Sequence, residues 1–359
     1  MIDFRYHLVS LMSVFLALAV GIALGAGPLK EAIGDTLTGQ VDQLRSEKAD
    51  LRDELSARAS ELSQQEAAFA AVAPSLLQGV LTDRRVAIIE LADVSGDVRD
   101  QVAARLGDAG ATVTATVQVT DGWNDPAKVT YRQTLAGTLV DYLNPVPAQD
   151  AGTDTELAEA LVQALTAAAP TDPDRLSDNS GVVLQLLTDG GLISSEGDIT
   201  LPADAIVILA GPTTAGEPST GTVTPSPSPS ESADNELRDA QLAAALQIGL
   251  AAQARATGAV IAGGELADNT LIDKVRADDD AAAKLSTVES VHTLTGQISV
   301  PLALSARIAG TVGHYGPSDG TTAAMPPRVV LPPIMRAAVQ TDQPADAGTP
   351  TAPSGGATP

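Results

Sequence analysis

The chain has 359 residues and a formal net charge of −24, from 45 acidic and 21 basic side chains. This acidity opposes binding to nucleic acid and to anionic membrane surfaces, because both carry negative charge themselves. The absence of cysteine excludes disulfides, thiolate metal sites, iron–sulfur clusters and cysteine nucleophiles, and an aromatic content of 2% disfavours platforms that stack sugars or bases.

The first element is an apolar segment at 8–29, with no charged residue between His7 and Lys30. About 20 apolar residues in a helix, at about 1.5 Å each, cross a hydrocarbon core of about 30 Å. A cleaved signal peptide is the alternative, but its apolar core is about 7–15 residues long and follows a basic start. We predict an uncleaved transmembrane helix in the plasma membrane. Arg5 favours a cytoplasmic tail at 1–7 and an extracytoplasmic remainder.

The segment 30–73 repeats apolar residues at alternating spacings of four and three, with charged residues between them. This pattern is typical of a coiled coil. A single amphipathic helix that packs on its own domain is the alternative. We expect the helix to end at Pro74, which lacks an amide hydrogen. The repeat has eleven positions, of which eight are apolar. They are Leu37, Val41, Leu44, Lys48, Leu51, Leu55, Arg58, Leu62, Gln65, Phe69 and Val72.

A membrane helix followed by a coiled coil of the same direction favours a parallel homodimer. Ala17, Gly21 and Gly25 recur at four-residue spacing and would let two membrane helices approach closely, although small residues are common in such helices. We expect a kink between the two helical segments at Gly27 and Pro28.

The remainder, at 80–337, alternates strand and helix patterns. Strands are predicted at 84–92, 111–120, 205–210, 258–263 and, more weakly, 288–291; helices are predicted at 96–109, 126–143, 157–169, 182–187, 236–257 and 295–309. This alternation predicts an extracytoplasmic α/β domain with a small, mostly parallel sheet of four to six strands and helices on both faces. It also argues against a membrane β-barrel, which needs at least eight segments of about ten alternating residues.

Two segments have the composition of disordered chain. Residues 213–235 are rich in Pro, Ser, Thr and Gly, and residues 338–359 form a polar tail. Such segments bury too little apolar area to offset the entropy of ordering. We predict a disordered insertion and a disordered tail.

Three common motifs of enzymes are absent from the sequence. The turn at 91–96 has neither a dinucleotide-binding nor a P-loop pattern, and no nucleophile elbow occurs. We therefore predict a protein that is not an enzyme, with no catalytic and no cofactor-binding residues. A degenerate hydrolase-like or amidotransferase-like domain is the enzymatic alternative.

Three groups of polar residues are weak candidates for a site. Glu90, Asp93 and Asp97 lie near the carboxyl end of the first strand, where ligands often bind, but helix capping and solvation explain them equally well. The turn at 263–265 could bind an anion or be an ordinary tight turn. The aspartates at 278–280 could bind a cation, but they are more typical of a charged helix N-terminus.

The inventory of copper ligands is small. The only histidines are His7, His292 and His314, and no two histidines or methionines stand three or four residues apart. Copper sites favour imidazole and soft sulfur ligands, so we predict no metal-site residues. A folded site from His292, His314 and Met325 remains open, as does a hydrogen-bonding role for His314 in a loop.

Two stretches resemble a known family. The opening at 1–11, Met-Ile-Asp-Phe-Arg-Tyr-His-Leu-Val-Ser-Leu, is similar to that of the actinobacterial family named for the mycobacterial copper-transport protein MctB. The Gly-His-Tyr-Gly at 313–316, after a helix that starts near Gly296, resembles the family's closing motif. The resemblance covers about residues 1–330. Where the family has Val-Asp-Asn-Val, this chain reads Val-Glu-Ser-Val at 288–291.

The resemblance implies a cell-envelope protein in copper transport, efflux and homeostasis, with copper as the transported ion. It also implies an outer-membrane location as the alternative to the plasma membrane. Some members are linked to cell separation, as partners of a membrane protein that controls peptidoglycan hydrolases. The residues favour this second mechanism, a dimeric coiled-coil scaffold that regulates wall hydrolysis. We carry both, with a homodimer and an envelope membrane protein as the expected partners, and no nucleic acid.

Overall fold

The computed structural model describes residues 4–26, 28–91, 94–211 and 229–336. The chain divides into two units, 1–69 and 70–359. The kink expected at Gly27, most of the insertion predicted at 213–235 and the tail predicted at 338–359 lie outside the described residues.

The first unit begins with one apolar helix, α1 (Phe4–Ala26). Its 23 residues reach about 35 Å at about 1.5 Å each, enough to cross a bilayer core. The span Phe4–Ala23 has a mean hydropathy of 2.0, and it is the one helix in the described residues that is long and apolar enough to cross a membrane. The prediction of an N-terminal apolar helix is confirmed.

The second helix, α2 (Pro28–Leu77), is 50 residues long. Proline is well suited to a first helical position, because the amide there has no partner within the helix. All side chains from 39 to 68 are exposed, including the seam residues Leu44, Leu51 and Leu55. The structure thus confirms a long helix with an apolar seam, while its pairing into a coiled coil stays a prediction.

The prediction that the helix ends at Pro74 is wrong by three residues, because α2 continues to Leu77. Proline removes only its own amide from the hydrogen-bond ladder. The carbonyl of Pro74 still accepts the amide of Gln78 at 2.9 Å, which closes a further turn. Ala73 and Leu77 on this last turn are fully buried, so packing in the second unit also favours its helical form.

The second unit contains a seven-stranded sheet among the described residues. Its order is β5-β2-β1-β6-β7-β8-β9, and all neighbours are parallel except β2 and β5. The prediction of a mostly parallel sheet is confirmed, and a separate hairpin is formed by β3 (Ala168–Ala169) and β4 (Asp172–Leu176). The sheet strands are β1 (Arg85–Leu91), β2 (Thr112–Val119), β5 (Ile193–Ser195), β6 (Ala205–Ala210), β7 (Ala259–Ala262), β8 (Ser286–Val288) and β9 (His314–Tyr315).

Helices cover both faces of this sheet, as predicted. On one face, α3 packs against α10, and α10 also contacts β6, β7 and β8. On the other face, α5 packs against α4, α6 and α7 over a large apolar core. The helices are α3 (Gly96–Asp108), α4 (Val129–Leu139), α5 (Thr153–Thr166), α6 (Asp178–Asp189), α7 (Pro229–Arg255), α8 (Leu271–Ala277), α9 (Asp279–Ala282) and α10 (Leu294–Ile308).

Several boundaries differ from the sequence prediction. The sheet has seven strands rather than four to six, because β5 and β9 are only three and two residues long and show no pattern of their own. The strand expected at 288–291 lies earlier, at β8, since Ser290 has a left-handed φ of 54° that ends it. Helix α7 already begins at Pro229, inside the segment predicted to be disordered.

Candidate functional site

A cavity of about 420 Å³ lies at the carboxyl edge of the sheet. Leu91 at the end of β1 and Gly211 after β6 both line it, because parallel strands end at the same edge. From β1 the chain crosses to β2 on one side, whereas from β6 it continues to β7 on the other side. The cavity therefore lies at a topological switch point, the usual ligand position in open α/β sheets.

The walls of the cavity are mainly apolar. Helix α7 and the loop and helix around α8 form much of them, together with the ends of β1 and β2. The apolar side chains of the lining also belong to the hydrophobic core that α4 to α7 form on this face of the sheet. They include Leu91, Val119, Trp123, Leu242, Ala244, Ala245, Ile248, Leu271 and Ile272.

Trp123 is the only tryptophan of the chain, and it forms part of this wall. It ends a short 3₁₀ turn, Asp121–Trp123, whose backbone closes with the Trp123 amide donating to the Thr120 carbonyl at 3.0 Å. Gly122 is required in this turn, because a Cβ there would overlap the carbonyl oxygen of Gly191. The indole is fully buried, and its Nε1–H has no hydrogen-bond partner among the described residues.

Sequence reasoning missed Trp123. A single aromatic residue in a turn follows no periodicity, so neither the helix nor the strand pattern selects it. Its position in the sequence could have indicated a role, because the chain's sole tryptophan follows soon after the end of a predicted strand. Ligands often bind at that edge of a parallel sheet.

The polar residues of the lining carry charges of both signs. Arg238 provides a cation, and Asp121 and Glu265 provide carboxylates. The His292 Nε2 lies 4.0 Å from the Glu265 carboxylate, with side chains 51% and 82% exposed, so this contact is weak. The cavity has no single dominant charge.

The glycine turn at 263–265 lines the cavity but is engaged in the sheet. The Gly263 amide donates to the Val288 carbonyl at 3.0 Å, and the Val291 amide donates back to the Gly263 carbonyl at 2.9 Å. The Gly264 carbonyl accepts the Ser290 amide at 2.8 Å. These bonds extend the pairing of β7 and β8, which supports the interpretation as a structural turn rather than as an anion site.

Of the acids near the end of β1, Glu90 and Asp97 do not line the cavity. Glu90 points to the sheet face opposite Leu91, where its carboxylate lies 3.9 Å from Arg99. Burial raises the pKa of Glu90, and the Arg99 charge offsets this only in part. Asp97 lies in the first turn of α3, where a carboxylate favours the helix dipole. Asp93 lies outside the described residues.

The aspartates at 278–280 begin a helix, as predicted. The Asp278 carboxylate accepts the backbone amides of Asp280 and Ala281, at 3.0 and 3.1 Å, and so caps α9. Asp279 and Asp280 lie in the first turn of that helix. Capping accounts for the cluster.

His314 belongs to a buried polar network rather than to a metal site. The Arg276 guanidinium pairs with Glu289 and donates to the Thr287 hydroxyl oxygen at 3.1 and 3.2 Å. Because this oxygen accepts from Arg276, the Thr287 hydroxyl donates to His314 Nδ1 at 2.9 Å. Burial, and then the Arg276 charge, lower the pKa of His314, against a hydrogen bond to the Ala282 backbone. The lowered pKa favours the neutral imidazole, whose Nδ1 is engaged by Thr287.

The described residues contain no cluster of three or more His, Cys, Asp or Glu side chains that could hold a metal ion. His292 lines the cavity, whereas neither His314 nor Met325 does. The folded site considered for these three residues is therefore not formed at the cavity.

Comparison with known proteins identifies the family. The family described as "Copper transport outer membrane protein, MctB" matches residues 1–326. The chain belongs to the MctB family. Proteins named "Copper transporter MctB" from Mycobacterium tuberculosis (strain H37Rv) and Mycobacterium bovis are 30% identical over 332 residues, which cover 89% of this chain and 98% of each relative. The relative of the same name from Mycobacterium leprae is 27% identical over 350 residues, 91% of this chain and 100% of that protein.

The structure explains the glycines that carry the resemblance to the MctB family's closing motif. A Cβ at Gly296 would overlap the carbonyl oxygen of Ser290, so the first turn of α10 packs directly on the backbone that follows β8. A Cβ at Gly316 would overlap the side chain of Glu289, the buried partner of Arg276. These positions build the fold around Glu289, since close backbone approach admits only glycine.

Proposed function

We propose that this chain is a membrane-anchored cell-envelope protein that acts in copper transport and copper homeostasis. The observation that carries the proposal is the family match over residues 1–326, with relatives that are themselves named copper transporters. Helix α1 supports membrane anchoring. We propose a plasma-membrane anchor with the α/β domain outside; the family's description as an outer-membrane protein is the alternative location.

Copper is the cargo in this proposal, and the chain handles it indirectly. The whole sequence has three histidines, four methionines and no cysteine. The described residues contain no group of three or more His, Cys, Asp or Glu side chains that could hold a metal ion, and the Nδ1 of His314 is engaged by Thr287. An envelope protein of this kind affects copper by organising other components rather than by relaying the ion along its own side chains.

The surface suited to such organisation is the seam of α2. Leu51, Leu55 and Leu62 are 60%, 69% and 60% exposed on a single chain. Full burial of one leucine stabilises by about 1.5–3 kcal/mol, so covering these residues is a strong driving force. We propose that a second copy covers them in a parallel coiled coil, with Lys48 and Arg58 setting the register.

A second candidate function rests on this same helix. A long exposed seam above a membrane anchor suits a non-enzymatic scaffold that binds an envelope membrane protein and regulates cell-wall hydrolysis and cell separation. The relatives' names say transporter and not enzyme, which agrees with a non-catalytic role.

The test measures cell-associated copper under copper load, by mass spectrometry, in a deletion strain and in complemented strains. We expect copper to accumulate in the deletion strain and to return to normal with the wild-type gene and with His292→Ala. The variant that combines Leu51→Asp with Leu55→Asp should not restore it.

Unchanged copper in the deletion strain would overturn the copper role, and cell chaining in that strain would then favour the second candidate. Loss of rescue with His292→Ala, with normal protein levels, would contradict indirect handling and indicate direct contact with copper.

A further inference from the structure

We propose that residues 326–336 form a releasable strap that locks the junction between α2 and β1, residues 76–84. When the strap opens, the hydrogen bonds of the junction loosen while the sheet stays folded. Strap and junction both belong to the second unit, although they lie about 250 positions apart in the chain.

The strap is a segment without helix or strand that is tied down at both ends. Just before it, the Gly316 amide donates to the Ala323 carbonyl at 3.2 Å. At its end, Arg336 donates to the Asp83 carbonyl at 2.6 Å and pairs with the Asp204 carboxylate. The strap therefore passes along the junction between two fixed points.

Arg328 of the strap closes the end of α2. Its Nε donates to the Leu76 carbonyl at 2.9 Å, and its Nη2 donates to the Gln78 carbonyl at 2.8 Å. The last carbonyls of a helix have no partner within the helix, so this guanidinium satisfies acceptors that would otherwise need water. A cation at this end also interacts favourably with the helix dipole. The strap thus supplies a cap to the last turn of α2.

The strap also holds the loop that leads into β1. Asp83 in this loop has a left-handed φ of 59°, a conformation that side chains other than glycine adopt only at a cost in free energy. The Asp83 carbonyl accepts from Arg336, and the Arg84 Nη2 donates to the Pro332 carbonyl at 3.2 Å. Contacts from the strap therefore reach both ends of the junction.

The strap is held less firmly than the sheet. Of its residues only Pro326 and Leu331 are buried, and the two bonds that Arg328 donates are exposed. In β1, by contrast, every residue after Arg85 is buried. Segments with few buried apolar contacts and exposed hydrogen bonds open at a lower free energy than the core of a domain. The strap is therefore able to open while the sheet remains folded.

Opening the strap removes support from a helical turn that is already weakened. Pro74 has no amide hydrogen, so the hydrogen-bond ladder of α2 lacks one bond just before its end. Without Arg328, the carbonyls of Leu76 and Gln78 lose the partners described above. Leu77 is fully buried and keeps the turn on the domain. We therefore expect faster opening of the junction rather than detachment of the end of α2.

Hydrogen exchange followed by mass spectrometry tests the strap on the full chain in phosphatidylcholine nanodiscs. The reporters are junction amides that donate to backbone carbonyls, namely those of Gln78, Val80, Leu81, Asp83 and Arg84. The reference is α10, most of whose residues are buried in the core. In the wild type, after correction for intrinsic rates, the junction should exchange at least tenfold faster than α10, because the strap opens by itself.

Matched variants separate the strap from general effects of lost charge. Arg328→Ala with Arg336→Ala should speed exchange of the junction at least a further tenfold and leave α10 unchanged. Arg45→Ala with Arg175→Ala removes two exposed arginines from other ion pairs and should change neither region. If the strap variant has a lower helical content by circular dichroism, Arg328→Ala alone replaces it.

Three results would overturn the proposal. Unchanged exchange of the junction in the strap variant would show that the strap does not lock it. Equal acceleration of the junction and α10 would show that the strap belongs to the global folding unit. Wild-type protection of the junction equal to that of α10 would show that the strap does not open by itself. These results are independent of the copper measurement.

Discussion

Two helices of this chain carry leucines at helical spacing and place them in opposite environments. On α2, Leu51 and Leu55 are 60% and 69% exposed. On α5, Leu161 and Leu165 have the same spacing and are fully buried, and α5 packs against α4, α6 and α7. Spacing therefore identifies an apolar helix face, but only the surroundings decide whether the chain covers that face itself. The domain covers the leucines of α5 itself, whereas the leucines of α2 are exposed on the single chain.

The largest expected effect is on the proposed dimer and comes from replacing two exposed leucines of α2. Leu51→Asp with Leu55→Asp should dissociate the proposed dimer of residues 30–359, because each chain loses about 3–6 kcal/mol of burial and gains two buried charges. We expect the dissociation constant to rise at least ~100-fold. Light scattering measures the mass, and Ala49→Asp with Ser56→Asp adds the same charge away from the seam as a control. An unchanged mass in the seam variant would show that dimerisation does not use this face.

The next effect concerns the buried leucines. Leu161→Ala should lower the free energy of unfolding of the α/β domain by about 2–5 kcal/mol, through lost burial and the cavity left behind. Leu55→Ala should change that free energy by less than about 0.5 kcal/mol, as for an exposed site. Urea denaturation followed by Trp123 fluorescence reports the domain, since Trp123 lies in its core. Equal losses from the two variants would remove the contrast between the helices.

A smaller effect tests close backbone packing within the domain. Gly296→Ala should destabilise by about 1–3 kcal/mol, because its Cβ overlaps the Ser290 carbonyl and the backbone must shift. A Cβ at Gly107 in α3 would meet no atom within 4 Å. Gly107→Ala should therefore raise the free energy of unfolding by about 0.5–1 kcal/mol, as expected at an open position on a helix surface. The same urea denaturation measures both, and stabilisation by Gly296→Ala would contradict the described contact.

The smallest effect is a pH dependence confined to the domain. The pKa of His314 is lowered on folding, so below its usual value of about 6.5 the unfolded chain binds a proton that the folded chain does not. The stability that neutral His314 contributes is thus present above pH 6.5 and lost as the pH falls toward its lowered pKa. Urea denaturation at pH 7.5 and 5.5 should show a larger loss in wild type than in His314→Gln, with His292→Gln as the exposed control. Identical losses in wild type and His314→Gln would argue against a lowered pKa for the partly buried imidazole.

Some elements of the fold could be predicted from the sequence and others could not. The strands β1, β2, β6 and β7 were predictable, because they are runs of β-branched residues long enough to show a pattern. The two-residue β9 was not, since its place is fixed by pairing with β8 and by the packing of Gly316 on Glu289. The prediction that α2 ends at Pro74 was wrong because Ala73 and Leu77, on the last turn of the helix, are fully buried and stabilise that turn.

The candidate site was less predictable than the fold. The sequence pointed to the carboxyl edge of the sheet, where the cavity lies, and the turn at 263–265 lines that cavity. It also pointed to Glu90, which faces the other side. The cavity wall combines strand ends, α7 and a turn that are far apart in the chain, so no local pattern reveals that Trp123 belongs to it.

The central claim is that a second copy covers the seam of α2, and the absence of cysteine allows a direct test in the membrane. In the full chain, Leu51→Cys and Ala49→Cys are compared under mild oxidation. A parallel dimer in register brings the two copies of residue 51 together, so Leu51→Cys should form a disulfide-linked dimer and Ala49→Cys should not. The absence of a cross-link at 51, or equal cross-linking at 49, would contradict the account.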